Sequence, residues 1–120
     1  MSVYQMHAAR VQYVIEKKYA SASLTIDAVA HLIGISTQHV CRVLKRERGL
    51  TFADLLRDVR LREARRLLCE SSCSMKEIAF RVGFRHPSQF TRAFSSECGV
   101  SPSEYRARQA FGDVHHEQAM

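Results

Sequence analysis

Two arginines, Arg42 and Arg92, occupy equivalent positions in two similar stretches of this sequence, at an offset of 50 residues. A guanidinium group can donate two parallel hydrogen bonds to O6 and N7 of guanine, and a glutamine amide can pair with N6 and N7 of adenine. Gln38 lies four residues before the first arginine, and Gln89 lies three before the second. These side chains would read base edges in the major groove of duplex DNA if each arginine lies on the outward face of a helix.

The elements that carry the arginines are two copies of one motif. Residues 27–35 and 76–84 match at an offset of 49 residues, which places Ala30 on Ala79 and the turn residue Gly34 on Gly83. Each copy predicts a short helix, a tight turn that contains glycine and a longer helix, which is the pattern of a helix-turn-helix. A duplicated helix-turn-helix in a basic chain indicates double-stranded DNA as the ligand.

The positive charge of the chain is concentrated near the first motif. The sequence has 18 Lys and Arg against 12 Asp and Glu, a net charge of +6, and residues 42–66 alone contribute nine basic and four acidic side chains. A clustered positive surface of this kind attracts a phosphate backbone regardless of sequence. We therefore expect Lys45, Arg46 and Arg48 to hold phosphates, which position the protein without specifying bases. The alternative is a solvated helix face that keeps the protein soluble.

The apolar spacing predicts helices throughout and no strand. Hydroxyl residues suited to capping, among them Thr25, Ser36 and Ser74, precede the predicted helices, and Pro87 suits a first turn. The expected fold is all-α, with seven helices that form two helix-turn-helix subdomains joined by a long linker helix. The first subdomain is predicted over 1–50, with its recognition helix near 37–48, and a linker helix follows over 51–70. The second subdomain is predicted over 71–110, with its recognition helix near 87–98. The last helix is predicted to end near Gln109, and a loose tail is expected over 111–120.

The predicted linker helix changes its apolar side part-way along. Leu55 and Val59 lie on one face in the first half, whereas Leu61 and Leu68 lie nearly opposite in the second half, as 100° per residue requires. Such a helix would pack first against one helix-turn-helix unit and then against the other. At 1.5 Å per residue it spans roughly 28 Å, comparable with the roughly 34 Å between successive major grooves on one face of B-DNA.

The second copy also carries a longer signature. It consists of Gly83-Phe84, Gln89-Phe90-Thr91-Arg92-Ala93-Phe94, Gly99-Val100-Ser101-Pro102 and Tyr105-Arg106. With two helix-turn-helix units joined by a long helix, this signature resembles the DNA-binding domain of AraC/XylS-type bacterial transcription regulators over residues 5–108. The resemblance implies that the outward residues of both longer helices read promoter DNA. Many members of this family activate transcription by contacting RNA polymerase, so the resemblance also implies that polymerase is a partner of this chain.

The resemblance assigns roles position by position. The implied base-reading residues are Gln38, Cys41 and Arg42 in the first copy and Ser88, Gln89 and Arg92 in the second. The residues expected to contact the DNA backbone are Ser36, Thr37, Lys45, Arg46, Arg48, Arg85, Pro87 and Thr91. An ordinary polar surface position is the alternative for these residues, and the repeat favours DNA over it for Arg42 and Arg92. The Cys41 thiol has packing as an alternative because it is a weak hydrogen-bond donor. Most relatives carry an N-terminal effector or dimerisation domain, whereas a MarA-like minority consists of this domain alone, so the chain is either a stand-alone regulator or a C-terminal domain.

Other classes of protein fit the sequence less well. The six histidines are scattered with no acid or nucleophile placed to complete an active site, so we expect neither an enzyme nor a cofactor. Cys69 and Cys73 lack further ligands at zinc-site spacing, so we expect no metal. No apolar run is long enough to span a membrane, which favours a cytoplasmic protein with reduced cysteines. The remaining alternative is a basic helical module that binds an acidic protein, within a larger regulator. We expect the isolated domain to be a monomer, and a longer parent protein to be a dimer.

Overall fold

The structure, a computed structural model, describes the backbone of residues 1–119 and the side chains of residues 1–110. In this part of the chain the secondary structure is entirely helical, as predicted. The helices are α1 (Val3–Lys18), α2 (Ile26–Ile33), α3 (Thr37–Arg48), α4 (Phe52–Glu70), α5 (Met75–Arg81), α6 (Pro87–Cys98) and α7 (Pro102–Ala119). They form two compact units, Met1–Arg60 and Leu61–Met120. The division falls inside α4, so the segment predicted as a separate linker contributes to both units.

Local sequence explains where the helices begin. The Ser36 hydroxyl accepts the His39 N–H at 3.0 Å, and the Thr25 hydroxyl accepts the Ala28 N–H at 3.1 Å. Ser74 and Glu77 form a reciprocal capping box at the start of α5. Helix α6 starts without a side-chain cap, but its first residue is Pro87, which has no N–H to leave unpaired.

The turn between the two helices of each motif is built in the same way. Gly34 has φ +76° and Gly83 has φ +102°, which are left-handed values that favour glycine. The next amide then bonds back to the short helix, from Ile35 N–H to the Ala30 carbonyl at 3.1 Å and from Phe84 N–H to the Ala79 carbonyl at 2.9 Å. The two copies of the motif therefore share the same backbone hydrogen bond after the glycine. This bond fixes the direction in which each longer helix starts after its turn.

The core of the first unit consists mainly of aliphatic side chains. Val40 and Leu44 of α3 are fully buried against Val11 and Ile15 of α1 and against the first half of α4. The α4 residues in this core are Phe52, Leu55, Leu56 and Val59. Leu61, Ala64 and Leu68, on the other side of the helix, are buried as well but do not belong to this core. The predicted change of apolar face along α4 is thus seen in its burial.

The second unit has an aromatic core. Phe90 and Phe94 are fully buried on the inner face of α6, with their ring centroids 5.7 Å apart. Phe84 from the turn packs at 5.6 Å from Phe90, and Tyr105 from α7 packs at 5.3 Å from Phe94. These ring contacts hold α6 against the turn and α7, and so set which face of α6 meets solvent.

Two arginines, not predicted as structural, close the ends of helices in equivalent ways. The Arg60 guanidinium donates to the Tyr19 and Ser21 carbonyls just after α1, at 2.9 and 2.8 Å. The Arg106 guanidinium donates to the Leu68 and Ser71 carbonyls around the end of α4, at 2.9 and 3.2 Å. Burial lowers the pKa of Arg60 from its usual value, but the group still carries its charge at neutral pH. Each arginine donates to carbonyls at or just after the end of a helix, where backbone acceptors lack partners within the helix.

The last helix is longer than the sequence predicts. Helix α7 continues to Ala119, whereas its end was predicted near Gln109 with a loose tail from residue 111. After Pro102 the sequence has no further proline and a single glycine, Gly112, so no strong stop follows. The side chains after residue 110 and all of residue 120 lie outside the described part of the chain.

Candidate nucleic-acid interface

Helix α3 separates its apolar and polar residues cleanly. Val40, Val43 and Leu44 are fully buried, whereas Gln38, Cys41, Arg42 and Lys45 are exposed on the other side. The three base-reading candidates of the first copy therefore share an accessible helix face. Cys41 is exposed and does not pack in the core.

Helix α6 has the same arrangement with different chemistry. Phe90 and Phe94 are fully buried, and Ser88, Gln89 and Arg92 are exposed. Arg92 is the basic residue of this helix, where α3 has Arg42, Lys45, Arg46 and Arg48. The face of α6 can supply paired hydrogen bonds from one arginine and single bonds from a hydroxyl and an amide, with much less positive charge than α3.

Several of the candidate cations are unpaired within residues 1–110. In this part of the chain no side-chain hydrogen bond or ion pair engages the basic residues Arg42, Lys45, Arg48, Arg85 and Arg92. An exposed cation without an internal partner keeps its full capacity for a phosphate or a base edge. Arg46 differs, because its guanidinium lies 4.4 Å from the ring centroid of Tyr4 on α1. Its rotation is restricted by this cation–π contact, but its donors remain available.

Several arginines of α4 have partners within the protein. Arg57 pairs with Asp54 at 2.6 Å, and Arg66 forms ion pairs with Glu63 and Glu70. Arg65 lies 3.7 Å from Glu97, and Arg60 holds the carbonyls after α1. Because these charges are compensated or engaged locally, α3 remains the concentrated source of free positive charge.

The hydroxyl residues proposed to contact the DNA backbone differ in what they can donate. The Thr37 hydroxyl donates to the Asp27 carboxylate at 2.7 Å, and the Thr91 hydroxyl donates to the Pro87 carbonyl at 3.1 Å. A phosphate oxygen can only accept hydrogen bonds, and both hydroxyl protons are already donated within the protein. In this arrangement Thr37 and Thr91 therefore have no proton to donate to a phosphate. The Ser36 hydroxyl accepts an amide proton as the cap of α3 and keeps its own proton for a phosphate. The half-buried Pro87 has no N–H and can contribute only van der Waals contact.

A cluster of rings behind α3 was missed by the sequence analysis. His7 Nδ1 on α1 and His39 Nε2 on α3 are 3.0 Å apart, and the two rings meet edge to face at 5.0 Å. Tyr4 lies 5.5 Å from His39. These contacts join α1 to the recognition helix next to Gln38. The only sequence signal was the placement of Tyr4 on the apolar stripe of α1, because nothing local links His7 to a residue 32 positions away.

The other candidate chemistries find little support. Cys41, Cys69, Cys73 and Cys98 are free, and no group of three or more potential metal ligands occurs in the described residues. In the same part of the chain no helix is both long and apolar enough to cross a membrane.

Comparison with known proteins identifies the motif pair. A family model described as a helix-turn-helix domain matches residues 29–108. The transcriptional regulator GlxA of Rhizobium meliloti (strain 1021) is 39% identical over 97 residues, which cover 79% of this chain and 30% of GlxA. The transcriptional activator NphR of Rhodococcus is 37% identical over 101 residues, 84% of this chain and 30% of NphR. The chain thus spans about a third of these relatives. It spans more of PqrA, a probable transcription factor of Proteus vulgaris, with 33% identity over 77% of this chain and 75% of PqrA.

Solved structures agree with the sequence matches. The C-terminal domain of AraT, a response regulator of Geobacillus stearothermophilus, is 33% identical, has a TM-score of 0.83 and matches over 88% of both chains. The DNA-binding domain of the transcriptional factor AdpA, solved in complex with a target DNA, is 28% identical with a TM-score of 0.80 over 86% of this chain and 93% of that domain.

Proposed function

We propose, for a chain that belongs to the AraC-type helix-turn-helix family of transcription regulators, that the exposed faces of α3 and α6 read two halves of a double-stranded promoter site. One observation carries the proposal. Arg42 and Arg92 occupy the same place in two copies of one motif, and both are exposed with no internal partner in residues 1–110. An arginine in that setting is suited to paired contacts with guanine in the major groove.

The two helices would make different contacts with the DNA. Arg42 and Gln38 would read bases from α3, while Lys45, Arg46 and Arg48 would hold the flanking phosphates. From α6, Arg92 would be the charged reader, with Ser88 and Gln89 beside it and Arg85 near the turn. Cys41 would contribute an apolar contact or a weak hydrogen bond at the first half-site.

The wider role follows from the family. We propose that the chain acts in transcription activation through contact with RNA polymerase, which is supported by relatives named as activators, NphR and RhaS. We also propose that it works in the cytoplasm, where bacterial promoters are, and has no enzymatic activity. Because one chain carries two recognition helices, the isolated domain would bind as a monomer, and a longer parent protein would bring dimerisation from elsewhere.

A binding competition tests DNA as the ligand. Labelled duplex DNA and an acidic protein competitor are titrated with the protein over a series of salt concentrations. We expect tight binding to duplex DNA that falls linearly with salt on logarithmic axes, with the acidic protein displacing little. Preferential binding to the acidic protein would instead favour a protein-interaction module.

Lys45→Ala tests the division between positioning and reading. Loss of one phosphate contact should weaken binding to all sequences about equally and flatten the salt dependence by roughly 0.9 log unit per log unit of salt. Affinities are measured by fluorescence anisotropy on a preferred and an unrelated duplex, with Lys18→Ala at the end of α1 as the matched control. A change in which bases are preferred would show that Lys45 reads sequence.

Arg92→Ala tests the second half-site. We expect a loss of about 1–3 kcal/mol, because the variant removes one paired base contact while the cations of α3 still hold the DNA. Binding is measured on one operator and on versions with each half-site substituted in turn. The variant should lose its preference within one half-site only, and Ser103→Ala, an exposed change in the first turn of α7, should change nothing. Relaxed preference in both halves would contradict the assignment.

A further inference from the structure

Helix α1 carries a second stripe of residues that the core does not use. Val3, Met6, Arg10, Tyr13 and Lys17 follow one another at alternating spacings of three and four residues. All five are exposed, and Val3, Met6 and Tyr13 have 59%, 42% and 63% of their surface in solvent. Alternating spacings of three and four are the pattern by which one helix packs along another. The fully buried residues Ala8, Val11 and Ile15 form the separate stripe that closes the core.

A groove runs beside this stripe, between α1 and α2. One cavity of about 620 Å³ is lined by Met6, Tyr13 and Gly34, among others. A second of about 570 Å³ continues past the end of α1, and both are lined by His31 and Leu32. Leu32 is 56% exposed although it lies on a helix whose neighbours Val29 and Ala30 are buried. Met6 and Tyr13 of α1 and Leu32 of α2 therefore border two adjoining depressions, which share His31 and Leu32.

The positive charge around the groove favours an acidic partner. None of the residues that line the two cavities is acidic, whereas Arg10, Lys17 and Lys18 are basic and exposed. Lys17 is held 5.5 Å from the centre of the Tyr13 ring, which places a cation directly beside the apolar surface. Self-association along this stripe is opposed, because it would bring Arg10 against Arg10 and, in a parallel pair, also Lys17 against Lys17.

We propose that this groove, lined by Met6, Arg10, Tyr13, Lys17, His31 and Leu32, is a docking site for an acidic amphipathic helix of another polypeptide. The apolar side of the partner helix would lie on Met6, Tyr13 and Leu32. Its carboxylates would pair with Arg10, Lys17 and Lys18 at the rim. The cavities are lined by α1, α2 and the segments that follow them, and by no residue of α3. The protein can therefore hold this partner and DNA at the same time.

Peptide selection tests the proposal without assuming a partner. The whole chain is used to select binders from a displayed pool of random 20-residue peptides, and the enriched peptides are synthesised and measured by fluorescence anisotropy. We expect enrichment of sequences with apolar residues at helical spacing and a surplus of Asp and Glu. Leu32→Glu should weaken their binding at least about tenfold, because it places a carboxylate in the apolar centre of the groove. Lys17→Glu combined with Lys18→Glu should weaken it as well.

A matched control and a competition separate this groove from the DNA interface. Phe80→Glu, at an exposed apolar residue of α5 in the second unit, should leave peptide binding unchanged. Leu32→Glu should retain DNA affinity, which shows that the variant is folded, and excess duplex DNA should not displace the peptide. The proposal is overturned by enrichment of basic or uncharged peptides, by no enrichment, by peptides insensitive to Leu32→Glu, or by displacement with duplex DNA.

Discussion

Replacing Arg42 by alanine is expected to remove most of the measurable DNA binding. Arg42 is exposed on α3 and has no internal partner in residues 1–110, so its guanidinium is free for a paired base contact. It also belongs to the unit whose recognition helix carries Lys45, Arg46 and Arg48, which we propose to anchor the complex through phosphates. The loss combines a specific contact with part of the positive field that holds the DNA.

The comparison of Arg42→Ala with Arg92→Ala decides the order of importance. Footprints and affinities of both variants are measured on one operator at one salt concentration. Arg42→Ala should lose protection over the whole site, whereas Arg92→Ala should keep the half bound by α3. Abolished binding in Arg92→Ala together with intact affinity and half-site preference in Arg42→Ala would reverse the proposed roles.

The largest effect on stability is expected from Phe94→Ala. Phe94 is fully buried and packs against Phe90 and Tyr105 at ring distances of 5.7 and 5.3 Å. Truncation of such a ring costs about 3–5 kcal/mol, through lost burial and the cavity left behind. That is a large part of the 5–15 kcal/mol by which a protein domain is typically stable.

Denaturant unfolding followed by circular dichroism measures the effect. Ser96→Ala, an exposed change on the same helix, should shift the free energy of unfolding by no more than about 0.5 kcal/mol. A Phe94→Ala variant as stable as Ser96→Ala would show that the aromatic contacts between α6 and α7 do not hold the second unit together.

Much of the architecture was accessible from sequence because its causes are local. The caps at Thr25, Ser36 and Ser74 act within three residues, and the burial of alternate faces of α4 follows from helical geometry alone. The exposed face of each longer helix was predictable for the same reason, since fixing the buried residues fixes the opposite side. The likeness between the two copies then made Arg42 and Arg92 equivalent.

Two kinds of contact were not predicted: those between residues far apart in the sequence, and ion pairs among the charged residues of α4. Arg60 bonds to carbonyls 41 and 39 residues earlier, and no local pattern shows such a contact. The pairing of Arg66 with Glu63 and Glu70 was readable in principle, because residues three and four apart meet on a helix. A net charge summed over 42–66 does not show which of these side chains pair with one another.

Selection of preferred sequences from a random duplex pool, with the stoichiometry of the selected complex, tests the central claim most directly. Two different recognition helices in one chain predict a non-palindromic consensus with two half-sites about 10 bp apart, bound by one protein molecule. The α3 half should prefer guanine at one position, as a paired contact from Arg42 requires. An inverted repeat bound by two molecules, or no consensus at all, would contradict the account.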